Sequence, residues 1–136
     1  MLDPLIPRVV EAVLASDPVR SRLLLACWSF GSRTANKGRR ESDVDIAVLC
    51  EPPLGLERTR VMDGVGRALG VEVDLVDMSS AQASLRWEVI TTGKLLVERD
   101  EEEVEDFVRR ARWDAEDDEQ RNQMILLAQI DERLAP

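Results

Sequence analysis

The chain has 136 residues, with 18 Lys and Arg against 27 Asp and Glu, and so carries a formal charge of −9. A chain of this size makes one domain and buries a real core without disulfide staples. Its acidity repels phosphate backbones, which excludes a general nucleic-acid-binding module. There is no His and no Tyr. Ser–His and Cys–His couples and His-ligated metals are therefore excluded, and so is modification of the chain on a tyrosine of its own. Cys27 and Cys50 fall in apolar runs without CxxC spacing and read as buried, reduced thiols. No apolar stretch approaches the ~18 residues of a membrane span, and the N-terminus lacks a signal-peptide pattern. A soluble, cytoplasmic protein with no membrane association is expected.

Asp3 and Pro4 open a first helix, in which Leu5, Val9, Val10 and Val13 recur at helical spacing, and Asp17-Pro18 punctuates it. Leu23 to Phe30 is a short apolar run that reads as a buried strand. Gly31-Ser32 begins a polar segment, and a second strand is expected from about Asp43 to Cys50. Glu51-Pro52-Pro53 ends it. A helix from about Leu56 to Leu69 follows, closed by Gly70, and Val71 to Met78 reads as a third strand. Ser79 or Ser80 is expected to cap a helix that runs to about Thr92, with Gly93 after it. Leu95 to Glu98 is a short fourth strand. Asp100 with Glu103 forms a capping arrangement, and helix dominates from there on. One stripe there is Val104, Phe107, Val108 and Ala111; a second is Met124, Leu127, Ile130 and Leu134, with a break expected between Asp114 and Gln123. Alternating helix and strand signals, with no internal repeat or linker, give an α+β (α/β-like) domain. Residues 1–100 form its core and residues 101–136 a C-terminal helical extension of the same domain.

The chemistry concentrates between Phe30 and Leu49. Gly31-Ser32 lies where a buried strand ends. A glycine there lets backbone N–H groups approach a ligand, a helix start offers unpaired N–H groups to an anion, and Ser32 adds a hydroxyl for a phosphate oxygen. Taken alone, a Gly-Ser pair is an ordinary turn. Asp43 and Asp45 stand two apart on a strand, so both carboxylates leave from one face with Cα atoms roughly 6–7 Å apart. Like charges among apolar neighbours cost stability unless neutralised. Oxygen-only ligands suit Mg²⁺ or Mn²⁺, and a pair of such ions ~4 Å apart activates an attacking hydroxyl and stabilises a leaving pyrophosphate. The plain alternative is a strand-edge pair facing solvent. Asp74, mid-strand between Val73 and Leu75, faces the same ions if its strand neighbours that of Asp45. It is then a third carboxylate able to help deprotonate a hydroxyl. Asp77 points to the opposite face. Glu72 shares the Asp74 face but reads as a solvated charge at the strand start.

Gly31-Ser32, ten intervening residues, then Asp43-x-Asp45 resembles the signature of the nucleotidyltransferase superfamily that includes DNA polymerase beta. The short length, the strand with Asp74 and the GKLLVERD segment resemble its minimal nucleotidyltransferase (MNT) branch, many of whose members are antitoxins paired with HEPN-domain ribonuclease toxins. The resemblance covers roughly Leu23 to Asp100. It implies a nucleotidyltransferase fold, with a mixed sheet of about four strands between helices. It also implies Mg²⁺-dependent transfer of AMP from ATP to a tyrosine of the toxin, within a hetero-oligomer. By matching positions, Gly31 and Ser32 hold the nucleotide phosphates, while Asp43, Asp45 and Asp74 are the catalytic, metal-binding carboxylates. Where many relatives carry an Ala-Arg-Gly-like stretch, this chain has Thr34-Ala35-Asn36, so Arg33, Lys37, Arg39 and Arg40 stand equally as triphosphate or partner contacts or as a solvated loop. The acidic run from Glu98 to Glu119 reads as a solvated helix face, or as an attraction for a basic partner. Trp87 and Trp113 read as core or helix-packing residues, with interface anchoring as the alternative. Two other functions compete: an antitoxin that only masks its toxin by binding, and a nucleotidyltransferase acting on a small molecule.

Overall fold

The computed structural model describes residues 3–31 and 43–134. Ser32 and the basic segment with Arg33, Lys37, Arg39 and Arg40 lie outside the described residues. The elements in chain order are α1 (Leu5–Ala15), α2 (Asp17–Arg20), β1 (Leu23–Phe30), β2 (Val44–Glu51), α3 (Glu57–Leu69), β3 (Val73–Asp77), α4 (Ala83–Thr92), β4 (Lys94–Glu98) and α5 (Glu101–Leu134). The strands form one sheet in the order β3-β2-β1-β4. β1 runs antiparallel to β2 and β4, whereas β2 and β3 are parallel. A parallel pair needs a crossover, and α3 supplies it. This is the mixed, helix-flanked sheet that the resemblance implied.

Both faces of the sheet are covered, which is why β1 and β2 read as nearly continuous apolar runs. On one face Ile6, Val9 and Val13 of α1 and Val61 and Val65 of α3 pack against Cys27, Ile46, Val48 and Leu75. On the other, Val89 of α4 and Val104 and Phe107 of α5 pack against Trp28, Ala47, Val76 and Met78. Trp28 and Phe107 meet with ring centroids 6.3 Å apart. Cys27 and Cys50 are free and buried, and burial pushes their thiols up to about 12 and about 11, so neither is a nucleophile. Among the described residues no helix is long and apolar enough to cross a membrane.

Several element ends differ from expectation for identifiable reasons. Asp17-Pro18 does not merely punctuate but opens the one-turn helix α2, with the proline in the first turn where its missing N–H costs nothing. α4 begins at Ala83, with neither Ser79 nor Ser80 as its cap. Those serines belong instead to a turn held by Asp77: Ser79 N–H donates to the Asp77 side chain (3.2 Å), and Ser80 N–H to its carbonyl (3.1 Å). Gly93, between α4 and β4, is pressed against the sheet. A Cβ there would lie 2.7 Å from the Ser29 carbonyl oxygen and 2.5 Å from that of Val89. The Asp100 cap forms as expected, its side chain accepting the Glu103 N–H at 3.2 Å. The break expected between Asp114 and Gln123 is absent, and α5 runs unbroken for 34 residues. That polar stretch has no Gly or Pro, and ion pairs one turn apart, Arg112–Glu116 (3.2 Å) and Asp117–Arg121 (2.8 Å), favour helix.

Asp77 sits on the opposite face from Asp74, as alternation requires, and is buried. Its carboxylate accepts the N–H groups of Leu54 (3.0 Å) and Gly55 (3.4 Å), tying the loop after β2 to the end of β3. Asp77 is thus a structural acceptor. Removing it strands buried donors, so Asp77→Ala should unfold with a free energy lower by about 1–3 kcal/mol in a urea titration.

Candidate active site

Strand register assembles the site. Antiparallel pairing sets Phe30 opposite Asp45, and parallel pairing sets Asp45 beside Asp74. Neighbouring strands lie about 4.8 Å apart, so two residues 29 positions apart in sequence become immediate neighbours on one face. Asp43 lies one residue before β2, where the Val44 N–H donates to the Glu72 carbonyl at 3.0 Å and pins this segment to the start of β3. Asp43 and Asp74 are exposed, and Asp45 is half-buried.

The charges feel one another. The Asp45 carboxyl is pushed up to about 6, first by burial and then by the charges of Asp74 and Asp43. Glu72 is also drawn in: a side-chain hydrogen bond with Asp43, and then that group's charge, raise its carboxyl. It is exposed, the solvated charge at the strand start that the sequence suggested, and it has Asp43 as a neighbour. Asp43, Glu72 and Asp74 line a cleft of about 530 Å³ together with Asp63 and Arg67 of α3. Sequence reading passed over Asp63 and Arg67, because on an amphipathic helix they read as ordinary exposed charges; only the parallel crossover carries them to the carboxylates.

Gly31 completes the constellation. Its φ of +82° is a conformation that side chains disfavour. A Cβ built there would overlap the Asp45 carboxylate. The backbone at the end of β1 therefore closes directly on Asp45, which only glycine permits. Ser32 follows at once but lies outside the described residues.

The carboxylates suit a hard divalent cation. Among the described residues no three His, Cys, Asp or Glu side chains close around a single ion position. Mg²⁺ does not require such a cage, since it commonly takes one or two carboxylates and completes its shell with phosphate oxygens and water. An all-oxygen cluster in which burial, and then the charges of Asp74 and Asp43, raise the Asp45 carboxyl fits that ion. A larger, mainly apolar hollow of about 810 Å³ between α1, α2 and β4 has only Glu11 as a carboxylate in its lining, and the chemistry does not lie there.

The family model described as polymerase beta, nucleotidyltransferase matches residues 20–102. A curated relative, the protein adenylyltransferase MntA of Shewanella oneidensis, is 40% identical over 70 residues, which cover 51% of this chain and 50% of that protein. The chain thus spans about half the length of this relative. A crystal structure described as a toxin–antitoxin with AMP-PNP contains a chain that is 30% identical, with a TM-score of 0.69 over 94% of this chain and 98% of that one. A re-refined structure of a tri-AMPylated Shewanella oneidensis HEPN toxin in complex with MNT antitoxin contains a chain that is 27% identical, with a TM-score of 0.67 over 99% of this chain and 100% of that one.

The raised Asp45 has a consequence for stability. Its folded value, about 6, lies above the ordinary 3.8, so the folded state binds the proton more tightly and stability falls as pH rises between the two values. Asp45→Asn removes that penalty. In metal-free buffer its melting temperature should exceed the wild type's above pH 6, and the gap should shrink as pH approaches 4.

Proposed function

Because the chain belongs to the polymerase beta nucleotidyltransferase family, we propose that it is an antitoxin that transfers AMP from ATP to a tyrosine hydroxyl of a HEPN ribonuclease toxin, and so silences it. The observation that carries this reading is the closure of Gly31 on Asp45, with Asp74 alongside on the parallel strand. The names borne by similar proteins supply the substrate class: a protein adenylyltransferase, and an MNT antitoxin in complex with an AMPylated HEPN toxin. On this reading the chain works in the cytoplasm, in a hetero-oligomer with that toxin.

In this mechanism the backbone at Gly31 admits the triphosphate close to β1, and the Ser32 hydroxyl donates to a phosphate oxygen. Asp43, Asp45 and Asp74 would hold Mg²⁺, which supplies the positive charge that offsets the triphosphate and the departing pyrophosphate. The toxin's tyrosine oxygen forms a bond to the α-phosphorus as the bond to pyrophosphate breaks. Asp74, exposed at the rim, is positioned to accept the hydroxyl proton. Because the chain contains no tyrosine, the acceptor must come from another molecule.

Asp43→Asn keeps the size and removes a charge that the reaction needs. With the toxin and ATP, transfer followed by mass spectrometry should drop by about two orders of magnitude or more, while the variant still co-purifies with the toxin. Undiminished neutralisation by Asp43→Asn, with no AMP on the toxin, would favour an antitoxin that acts by binding alone.

A further inference from the structure

α5 outgrows the body it belongs to. Its 34 residues span ~51 Å at 1.5 Å per residue. Val104, Phe107 and Ala111 are buried against the sheet, yet every residue from Glu119 to Glu132 is exposed. Within that arm the nine residues from Asn122 to Ile130 carry no charge. They include Met124, Ile125, Leu126, Leu127 and Ile130, which are 41–71% exposed. At 100° per residue, Met124, Leu127 and Ile130 lie roughly 150° around the helix from the buried stripe. Ile125 and Leu126 return toward the near side, where Leu126 and Trp87 line a hollow of about 670 Å³ between α4 and α5. A helix apolar on more than one side is built to be enclosed, and this chain has no element beyond α4 to enclose it among the described residues.

The flanking charge selects the occupant. Between Trp113 and Leu134 the sequence has seven carboxylates and two arginines, with the carboxylates in blocks on either side of the uncharged stretch. Two copies packed antiparallel through this arm would set the block at residues 114–119 against Asp131 and Glu132 of the other copy, acid against acid. A self-pair is disfavoured, whereas a helical surface with an apolar groove rimmed by Lys and Arg is complemented at both ends.

We propose that the exposed arm of α5 is the docking element for the toxin, inserting Met124 to Ile130 into a basic-rimmed apolar groove of that protein while the carboxylate cluster works on its tyrosine. This inference rests on the reading of the chain as an AMP-transferring antitoxin. It adds that recognition and chemistry occupy separate parts of the molecule.

The test uses the full chain carrying Leu127→Asp and Ile130→Asp, both at exposed positions, with a HEPN ribonuclease toxin as the probe. Circular dichroism and Mg·ATP binding should be unchanged, whereas affinity for the toxin should fall about tenfold or more. AMP transfer at limiting toxin should fall with it and recover at high toxin concentration. Toxin affinity within about twofold of wild type, with transfer intact, would overturn the docking role and leave the enzyme reading standing. Failure of the wild type to modify or bind the toxin would overturn both. Dimerisation of the wild-type chain alone, abolished by the two substitutions, would make a second copy the occupant and also overturn the inference.

Discussion

Three carboxylates held side by side at one corner of a sheet oppose folding, and the molecule is arranged to hold them there nonetheless. The parallel pairing of β2 with β3 forces Asp45 and Asp74 together. The antiparallel pairing of β1 with β2 brings the Gly31 backbone down onto Asp45. Neither pairing can slip by one residue without turning these side chains into the apolar layers on the other face. Burial of Ile46, Val48 and Leu75 on one side, and of Ala47 and Val76 on the other, locks the register. The hydrophobic sandwich supplies the stability against which the electrostatic cost of the site is set.

The same division appears along α5. Its first half completes the core and lies along α4, with Phe107 reaching Trp28 and Asp114 facing Arg86, and the stretch from Glu119 leaves the body as an arm. A site held at the end of the sheet and an apolar arm extending from the helical layer on that same face allow binding energy and reaction to be tuned separately.

Much of this was legible in the sequence. Period-2 alternation around Asp43 and Asp45, the apolar run of β1 and the Gly-Ser pair at its end marked the corner before any coordinates, and family resemblance implied the mixed sheet. What escaped depended on distance in sequence or on competition for hydrogen bonds. Glu72 is solvated as it reads, but only the Val44–Glu72 backbone bond reveals Asp43 beside it. Ser79 and Ser80 looked like helix caps, because nothing local announces that Asp77 has already claimed that turn. Trp113, read first as core or helix packing, is 74% exposed, because it leaves α5 roughly 150° around the helix from the buried stripe of Val104, Phe107 and Ala111. The break expected in α5 mistook polarity for a loop signal, although the residues concerned are good helix formers paired by charge.

The proposed function requires the carboxylate corner to bind nucleotide through a divalent metal. Calorimetric titration with a non-hydrolysable ATP analogue, in Mg²⁺ and again in chelator, tests it most directly. Binding should be tight in Mg²⁺ and much weaker in chelator, with little Mg²⁺ dependence left in Asp45→Asn. Equal affinity with and without the metal, unaltered by Asp45→Asn, would contradict it.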